Sequence, residues 1–599
     1  MNTQTMAFGY PKIGPNRELK KTVESYWKGD ISQEELIKKV SGLSLARIQK
    51  QLDSGLDWVP SSDFSLYDQM LDHSQMLGVI PDRFKGIENT IDQYFAMARG
   101  SKDAIACEMT KWFDTNYHYI VPELTGTFTI TENTPLKQYK EAKEQLGIKT
   151  VPVMIGPFTF IYLSKCHNDG NKESTKAPDS PHFKEWVLEV AKLYRTIIKE
   201  LEAEGANKVL LNEPALVLNT TKEEVDVLIE AYSLMTKDLS LDIHVNTYYE
   251  SLTHFEDIVT ALPVKGIGLD FVSNQENMIQ LKSHGMGNKA LIAGVISGRN
   301  PWKSEPNKVI SLVNEIKSVV VDGPLTLSNA APLYHLPHSL EYEKDHLSSD
   351  VLRLLAFADE RLIELETLKN CINGSSNWES EDLSDIKLRF QNSTVQEKIN
   401  QIQESQIGRK TPFSDRYKQQ QAKLNLPLFP TTTIGSFPQT AEVRQKRAQL
   451  KSGNISQTEY DGYVQDAMKE LVTLQEDIGL DVLVHGEFER TDMVEFFGEK
   501  MDGFAFTKNG WVQSYGSRCV RPPIIYGDVS RPNAMTVKET IFAQGLTQKP
   551  MKGMLTGPVT ILNWSFYRND IPKKEIAYQI GLALREEVLD LEKENISII

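Results

Sequence analysis

A glutamate, a histidine and a scattered set of cations are the side chains whose positions suit chemistry in this sequence. Glu487 and His485 lie in GLDVLVHGEFER, where an apolar run gives way to a polar turn. A carboxylate there can hold an ammonium group or act as acid or base; the bland alternative is a solvated loop side chain, and the position favours function. His485 alone reads as a core or supporting histidine rather than a ligand. Ile434, Gly435 and Ser436 in TTTIGSFP, and Thr556 and Gly557 in LTGPVTI, stand at comparable exits from apolar runs. Arg17, Lys20 and Lys21 in RELKK, Lys111 before a Trp-Phe pair, and Arg518 and Arg521 could together meet a polycarboxylate through charge-assisted hydrogen bonds. RELKK by itself reads first as a solvated helix start. Trp511 and Trp564 either cover a flat heterocycle or fill core. Glu213 and Glu487 suggest a carboxylate-pair hydrolase, a reading weakened because they fall in different domains. For metal, His244 in HVNTYYE has no cysteine beside it, and His335 and His338 in HLPH have the wrong company for a tetrahedral site. Cys166-His167-Asn168 reads as a loop, so no complete zinc site is visible.

The elements that would position these residues follow from the rest of the chain. Its 599 residues, 40% hydrophobic and 25% charged, are enough for more than one core. The formal charge of −15 and a pI near 5.4 exclude general binding to nucleic acid or membrane surfaces, which rests on clustered Lys and Arg. Any anionic ligand must therefore meet a local basic patch. Cys107, Cys166, Cys371 and Cys519 form no CxxC pair, which points away from a disulfide framework and toward a reducing cytoplasm. The N-terminus carries no basic stretch followed by an apolar one, and no apolar run reaches the length of a membrane span, so export and membrane insertion are not expected.

Eight strand candidates alternate with amphipathic helices over residues 1–370: TMAFGYPKIG, GLDWVPSSDF, VPVMIGPFTF, KVLLNEPAL, LDIHVNTYY, KGIGLDFV, ALIAGVIS and PLTLSNAAP. That alternation predicts a parallel (βα)8 TIM-type barrel. Residues 371–428 are polar and read as a helical linker. The beginning of the chain then returns. GDISQEEL at Gly29 matches GNISQTEY at Gly453, and Gly55 with Gly479, Asp63 with Glu487 and Asp68 with Asp492 keep the same separation of 424 residues. IGPFTF at Ile155 also reappears as TGPVTI at Thr556. A constant register over such distances implies internal duplication. The second copy, 429–599, ends at NISII, the place of its fourth strand. The expected fold is α/β, two (βα)8 TIM-type barrels from a duplication, the second incomplete in this chain. A half barrel leaves raw strand edges, so the second copy is expected to be cut short.

At GYPKIGPNRELKK, KWFDTNYHYIVPE, TTTIGSFPQT, HGEFERTDMVEFFGE, GSRCVRPPI and LTGPVTILNWSF the sequence resembles the cobalamin-independent methionine synthases, from residue 9 to the last. The resemblance implies two face-to-face barrels and methyl transfer from 5-methyltetrahydropteroyltriglutamate to homocysteine, giving methionine. Carried over by motif, Arg17, Glu18, Leu19, Lys20, Lys111, Arg518, Cys519 and Trp564 resemble the folate-binding positions. Ile434, Gly435, Ser436 and Glu487 match those that hold homocysteine or methionine. The family's zinc is held by a His-x-Cys motif, a Glu and a final Cys, and keeps the thiol as thiolate. Those ligands, and the proton-donor histidine, would lie beyond Ile599. In the first copy Asn246 follows His244 where the cysteine would be. The expectation is therefore a cytoplasmic monomer with no nucleic-acid or membrane partner, no catalytic or metal-binding residue within this chain, and no activity from these 599 residues alone. The alternative is a non-catalytic folate-binding remnant.

Overall fold

The computed structural model describes residues 3–167, 174–320, 323–402 and 408–599. The chain divides into two compact units, Met1–Asp382 with Lys508–Arg521, and Leu383–Thr507 with Pro522–Ile599.

The first unit is built on eight strands: Gln4–Thr5, Pro60–Ser61, Val151–Ile155, Lys208–Asn212, Asp242–Asn246, Gly266–Asp270, Ala290–Ile296 and Leu325–Asn329. Each pairs in parallel with its neighbour in sequence order, and the last pairs with the first. The first two strands meet through a parallel Met6–Trp58 bridge, where the Asp57 and Trp58 N–H groups both donate to the Thr5 carbonyl. The sheet thus closes on itself. All eight strand candidates appear, and their central members are apolar without alternation because both faces are covered. Strands are shorter than the runs that announced them. VPVMI ends at Ile155, because Gly156 and Pro157 open the helix Pro157–Tyr162. One expectation is corrected. Cys166 is not in a loop but buried in the strand Lys165–His167, whose backbone is paired on both sides by Glu123–Leu124 and Ser174–Lys176. Asn168 lies outside the described residues.

The segment Lys508–Arg521, counted with the second copy in sequence, packs in the first unit as a hairpin of Val512–Tyr515 and Arg518–Val520. Buried Glu343 accepts the Lys508 and Asn509 N–H groups at 2.6 and 2.7 Å. Gln513 Nε2 donates to the Tyr67 carbonyl at 3.3 Å, and Ser514 Oγ to the Asn116 carbonyl at 3.2 Å. Gly516 makes the turn at φ 48°, where a Cβ would run into the Tyr67 ring.

In the second unit four segments are joined in chain order by single parallel bridges, Ser436–Gly486, Leu483–Met551 and Lys552–Ile598. Helices Ala441–Lys451, Gln457–Asp477 and Lys573–Lys593 pack beside them. The linker helices Ser384–Arg389 and Ser393–Asn400 belong to this unit, the second anchored by Asn392 N–H and Gln396 Nε2 donating to the Asp528 carboxylate.

The duplication repeats down to single hydrogen bonds. Helices Gln33–Asp53 and Gln457–Asp477 are both 21 residues long and capped by Ser32 and Ser456. Buried Gln51 donates to the Arg47 carbonyl at 3.3 Å, and Gln475 to the Leu471 carbonyl at 3.2 Å. Asp57 accepts from the Thr5 N–H and hydroxyl, as Asp481 does from Thr431. Asp68 caps Met70 and Leu71 N–H; Asp492 caps Val494 and Glu495.

Candidate functional site

The cations singled out in the first unit are gathered by two turns. Arg17 takes a left-handed conformation, φ 60°, at the start of helix Glu18–Trp27. There its guanidinium lies 3.9 Å over the Trp511 ring, which Arg521 also approaches at 4.8 Å. Glu18 turns back to the Asn16 N–H and side-chain amide, at 3.0 and 3.1 Å. Leu19 is buried in core, so a ligand could reach only its backbone. Lys20 Nζ contacts Glu24 at 2.5 Å, and Glu24 also accepts from Ser517 Oγ at 3.0 Å. Lys21 is exposed. Lys111, also exposed, pairs in register with His118. Arg518 sits on the Tyr515 ring, and Tyr515 meets His118 edge-on at 5.9 Å.

Electrostatics tie these positions together. Burial pushes the Cys519 thiol up to about 12 even though the Lys20 and Arg17 cations pull the other way. His118 is lowered first by burial, with Lys111 and Arg518 adding to the shift. Among the described residues no carboxylate pairs with Arg17, Lys111 or Arg518. In a chain of net charge −15, three unpaired cations around indole and phenol rings form an anion-receptive surface.

Trp564 lies in the second unit, half-buried against its core at the end of helix Pro558–Asn563. In the same unit Ile434 is 83% exposed, Gly435 is buried, and Ser436 bridges Gly486. Glu487 takes φ 57° and brings Oε1 against Gly435, where a Cβ would collide with it. Ile434, Gly435, Ser436 and Glu487 are therefore adjacent. Two residues that sequence reasoning missed stand behind them. Buried Arg490 reaches Glu487 at 3.9 Å, donates from Nε to Glu489 at 2.9 Å and from Nη1 to the Met554 carbonyl at 3.0 Å. His485 Nε2 lies 3.0 Å from the same Glu489 oxygen. Burial alone would raise Glu489, but the His485 hydrogen bond and the neighbouring cations hold its carboxyl at about 2. The signal was the charge density of HGEFER; the pairing was not in it. Thr556 donates to the Met493 carbonyl at 2.8 Å, and Gly557 begins its helix.

Among the described residues no group of three or more His, Cys, Asp or Glu side chains could hold a metal ion. His244 is buried against Trp58, ring centroids 4.9 Å apart, with neither ring nitrogen hydrogen-bonded. His335 contacts the Tyr249 hydroxyl at 2.7 Å, and His338 lies 3.7 Å from Asp359. These residues do not fit zinc. Among the described residues, no helix is long and apolar enough to cross a membrane.

A closed parallel α/β sheet with polar residues at its strand ends defines the class, an α/β enzyme of the barrel type. The family models agree. Residues 4–321 match the cobalamin-independent synthase N-terminal domain and residues 429–599 its catalytic domain. The 5-methyltetrahydropteroyltriglutamate–homocysteine methyltransferase of Thermodesulfovibrio yellowstonii is 47% identical over all of this chain and 79% of its own length. That of Bacillus subtilis is 45% identical over all of this chain and 78% of its own length. That of Thermotoga maritima is 46% identical over 99% of this chain and 78% of its own. The chain belongs to the cobalamin-independent methionine synthase family.

Proposed function

We propose that the chain binds both partners of a methyl transfer from 5-methyltetrahydropteroyltriglutamate to homocysteine, giving methionine. The observation that carries this is the set of cations without carboxylate partners, Arg17 on Trp511, Arg518 on Tyr515 and Lys111 in register with His118. A triglutamate tail supplies several carboxylates for such a surface; separately, in the second unit, Trp564 offers an aromatic face of the kind a pterin stacks on. Glu18, Leu19, Lys20 and Cys519 complete the folate positions. In the second unit the Glu487 carboxylate takes the ammonium group of homocysteine or methionine beside Ile434, Gly435 and Ser436. Arg490 backs Glu487 at 3.9 Å and is shared with Glu489.

The methyl group leaves a tertiary amine, so the acceptor thiol has to be deprotonated and the departing nitrogen protonated. Zinc would supply the thiolate in this family; the residues described do not hold it, and none of them is assigned that step. The reading extends to the fold and setting. The four bridged segments are the opening strands of a second barrel, the domains run 1–370, 371–428 and 429–599, and the protein works as a monomer in the cytoplasm.

Titration of this chain with 5-methyltetrahydropteroyl mono- and triglutamate, followed by tryptophan fluorescence, tests the proposal. The triglutamate is expected to bind about tenfold or more tighter, the worth of one charge-assisted contact. Equal affinities would remove the polyglutamate site. Separately, L-methionine binding by calorimetry is expected to disappear in Glu487→Gln.

A further inference from the structure

The register of the duplication exposes a site in the first unit apart from the folate and amino-acid positions. Thr5 and Thr431 make the same bonds to Asp57 and Asp481, which sets Phe8, Gly9 and Tyr10 at the places of Ile434, Gly435 and Ser436. The matched helices and caps set Asp63 at the place of Glu487 and Arg47 at the place of Leu471. All four amino-acid positions of the second unit therefore have counterparts in the first.

The counterparts are occupied. Arg47 is buried, and its Nη1 and Nη2 face the two Asp63 oxygens at 3.3 and 3.4 Å. Its Nε donates to the Pro11 carbonyl at 3.1 Å, and Nη2 also donates to the carbonyl of Tyr10, the residue standing for Ser436. Asp63 is 6% exposed. A carboxylate so buried requires a cation, and none comes from solvent. In the second unit Leu471 offers no donor and packs against Gly486; Arg490 comes no closer to Glu487 than 3.9 Å, beyond hydrogen-bond distance, and Glu487 keeps 14% of its side chain exposed.

We propose that Arg47 is a built-in ligand: its guanidinium fills, in the first unit, the place that an amino acid's ammonium group takes in the second. The first unit thus retains a cation site formed by Asp63 and the Tyr10 and Pro11 carbonyls, with alkylguanidinium or primary ammonium as its ligand class. This rests on reading Glu487 as an ammonium site.

The test is chemical rescue in the full chain. Arg47→Ala removes everything past Cβ, and ethylguanidinium replaces the missing atoms. Arg47→Ala is expected to melt several degrees below wild type, and millimolar ethylguanidinium to raise its Tm along a saturating curve while leaving wild type unmoved. Adding Asp63→Asn is expected to weaken that curve about tenfold or more. A non-saturating response, or the same curve with and without Asp63, overturns the proposal. If Arg47→Ala does not fold, Arg47→Lys is compared with Arg47→Met. The cation is expected to melt higher, and an equal or higher Tm for Met overturns the proposal. Retention of L-methionine binding in Glu487→Gln would undo the reading of the second unit without touching the rescue, so the two failures are distinguishable.

Discussion

Arg17 shows how much one backbone angle decides. Its left-handed φ turns the side chain onto Trp511 instead of into solvent beside Lys21. Arg17→Ala is expected to weaken triglutamate binding by about tenfold, from a charged contact worth about 1.5 kcal/mol at a partly exposed surface; the fluorescence titration reads it. Burial lowers the His244 imidazole to about 4, and its nitrogens find no partners. The native state therefore holds a neutral ring that the unfolded chain protonates near 6.5. The stability this gives is complete above pH 6.5 and drains away as pH falls toward 4, by about 2 kcal/mol at pH 5. Urea unfolding at pH 7 and pH 5 is expected to show that His244→Leu loses this part of the acid sensitivity. At this scale the sequence was legible where position alone carried meaning. Glu487 was singled out because an apolar run ends beside it, and the fold sets its carboxylate against Gly435. Arg47 and Asp63 were not found as a pair, because one lies in a helix and the other in a loop, and only the closed sheet makes them neighbours.

The elements were legible where burial imposes a pattern. Strands covered on both faces must be apolar throughout, so VPVMI and ALIAGVI announced themselves. Lys165–His167 did not, since a short peripheral strand is specified by the backbones on either side of it. Helix starts recur in the repeat: Ser32 and Ser456 cap matching helices. Ser456 shares a reciprocal capping box with Glu459. Ser456→Ala is expected to cost the second unit about 1 kcal/mol, measured by its thermal unfolding. Gly516→Ala is a larger change, combining strain at positive φ with a clash against Tyr67. It is expected to cost about 1–3 kcal/mol in the first unit and to weaken triglutamate binding, because Arg518 and Cys519 ride on that turn.

For the whole chain, the division into units cannot be read along the sequence, because Lys508–Arg521 leaves its own copy to complete the other. No local pattern marks that choice; it depends on Glu343, Tyr67 and Asn116, each distant in sequence. Glu343→Ala is expected to speed deuterium uptake across 508–521 and to lower triglutamate affinity, while L-methionine binding stays at the wild-type level. The same hairpin separates the order of synthesis from the order of folding. When Asp382 has been made, the first unit still lacks its last piece, and the 125 residues from Leu383 to Thr507 must be translated before that piece exists. At ~5–20 residues per second the wait is roughly ten seconds. Throughout it, the Tyr67 and Asn116 carbonyls that the hairpin will pair stay without those donors.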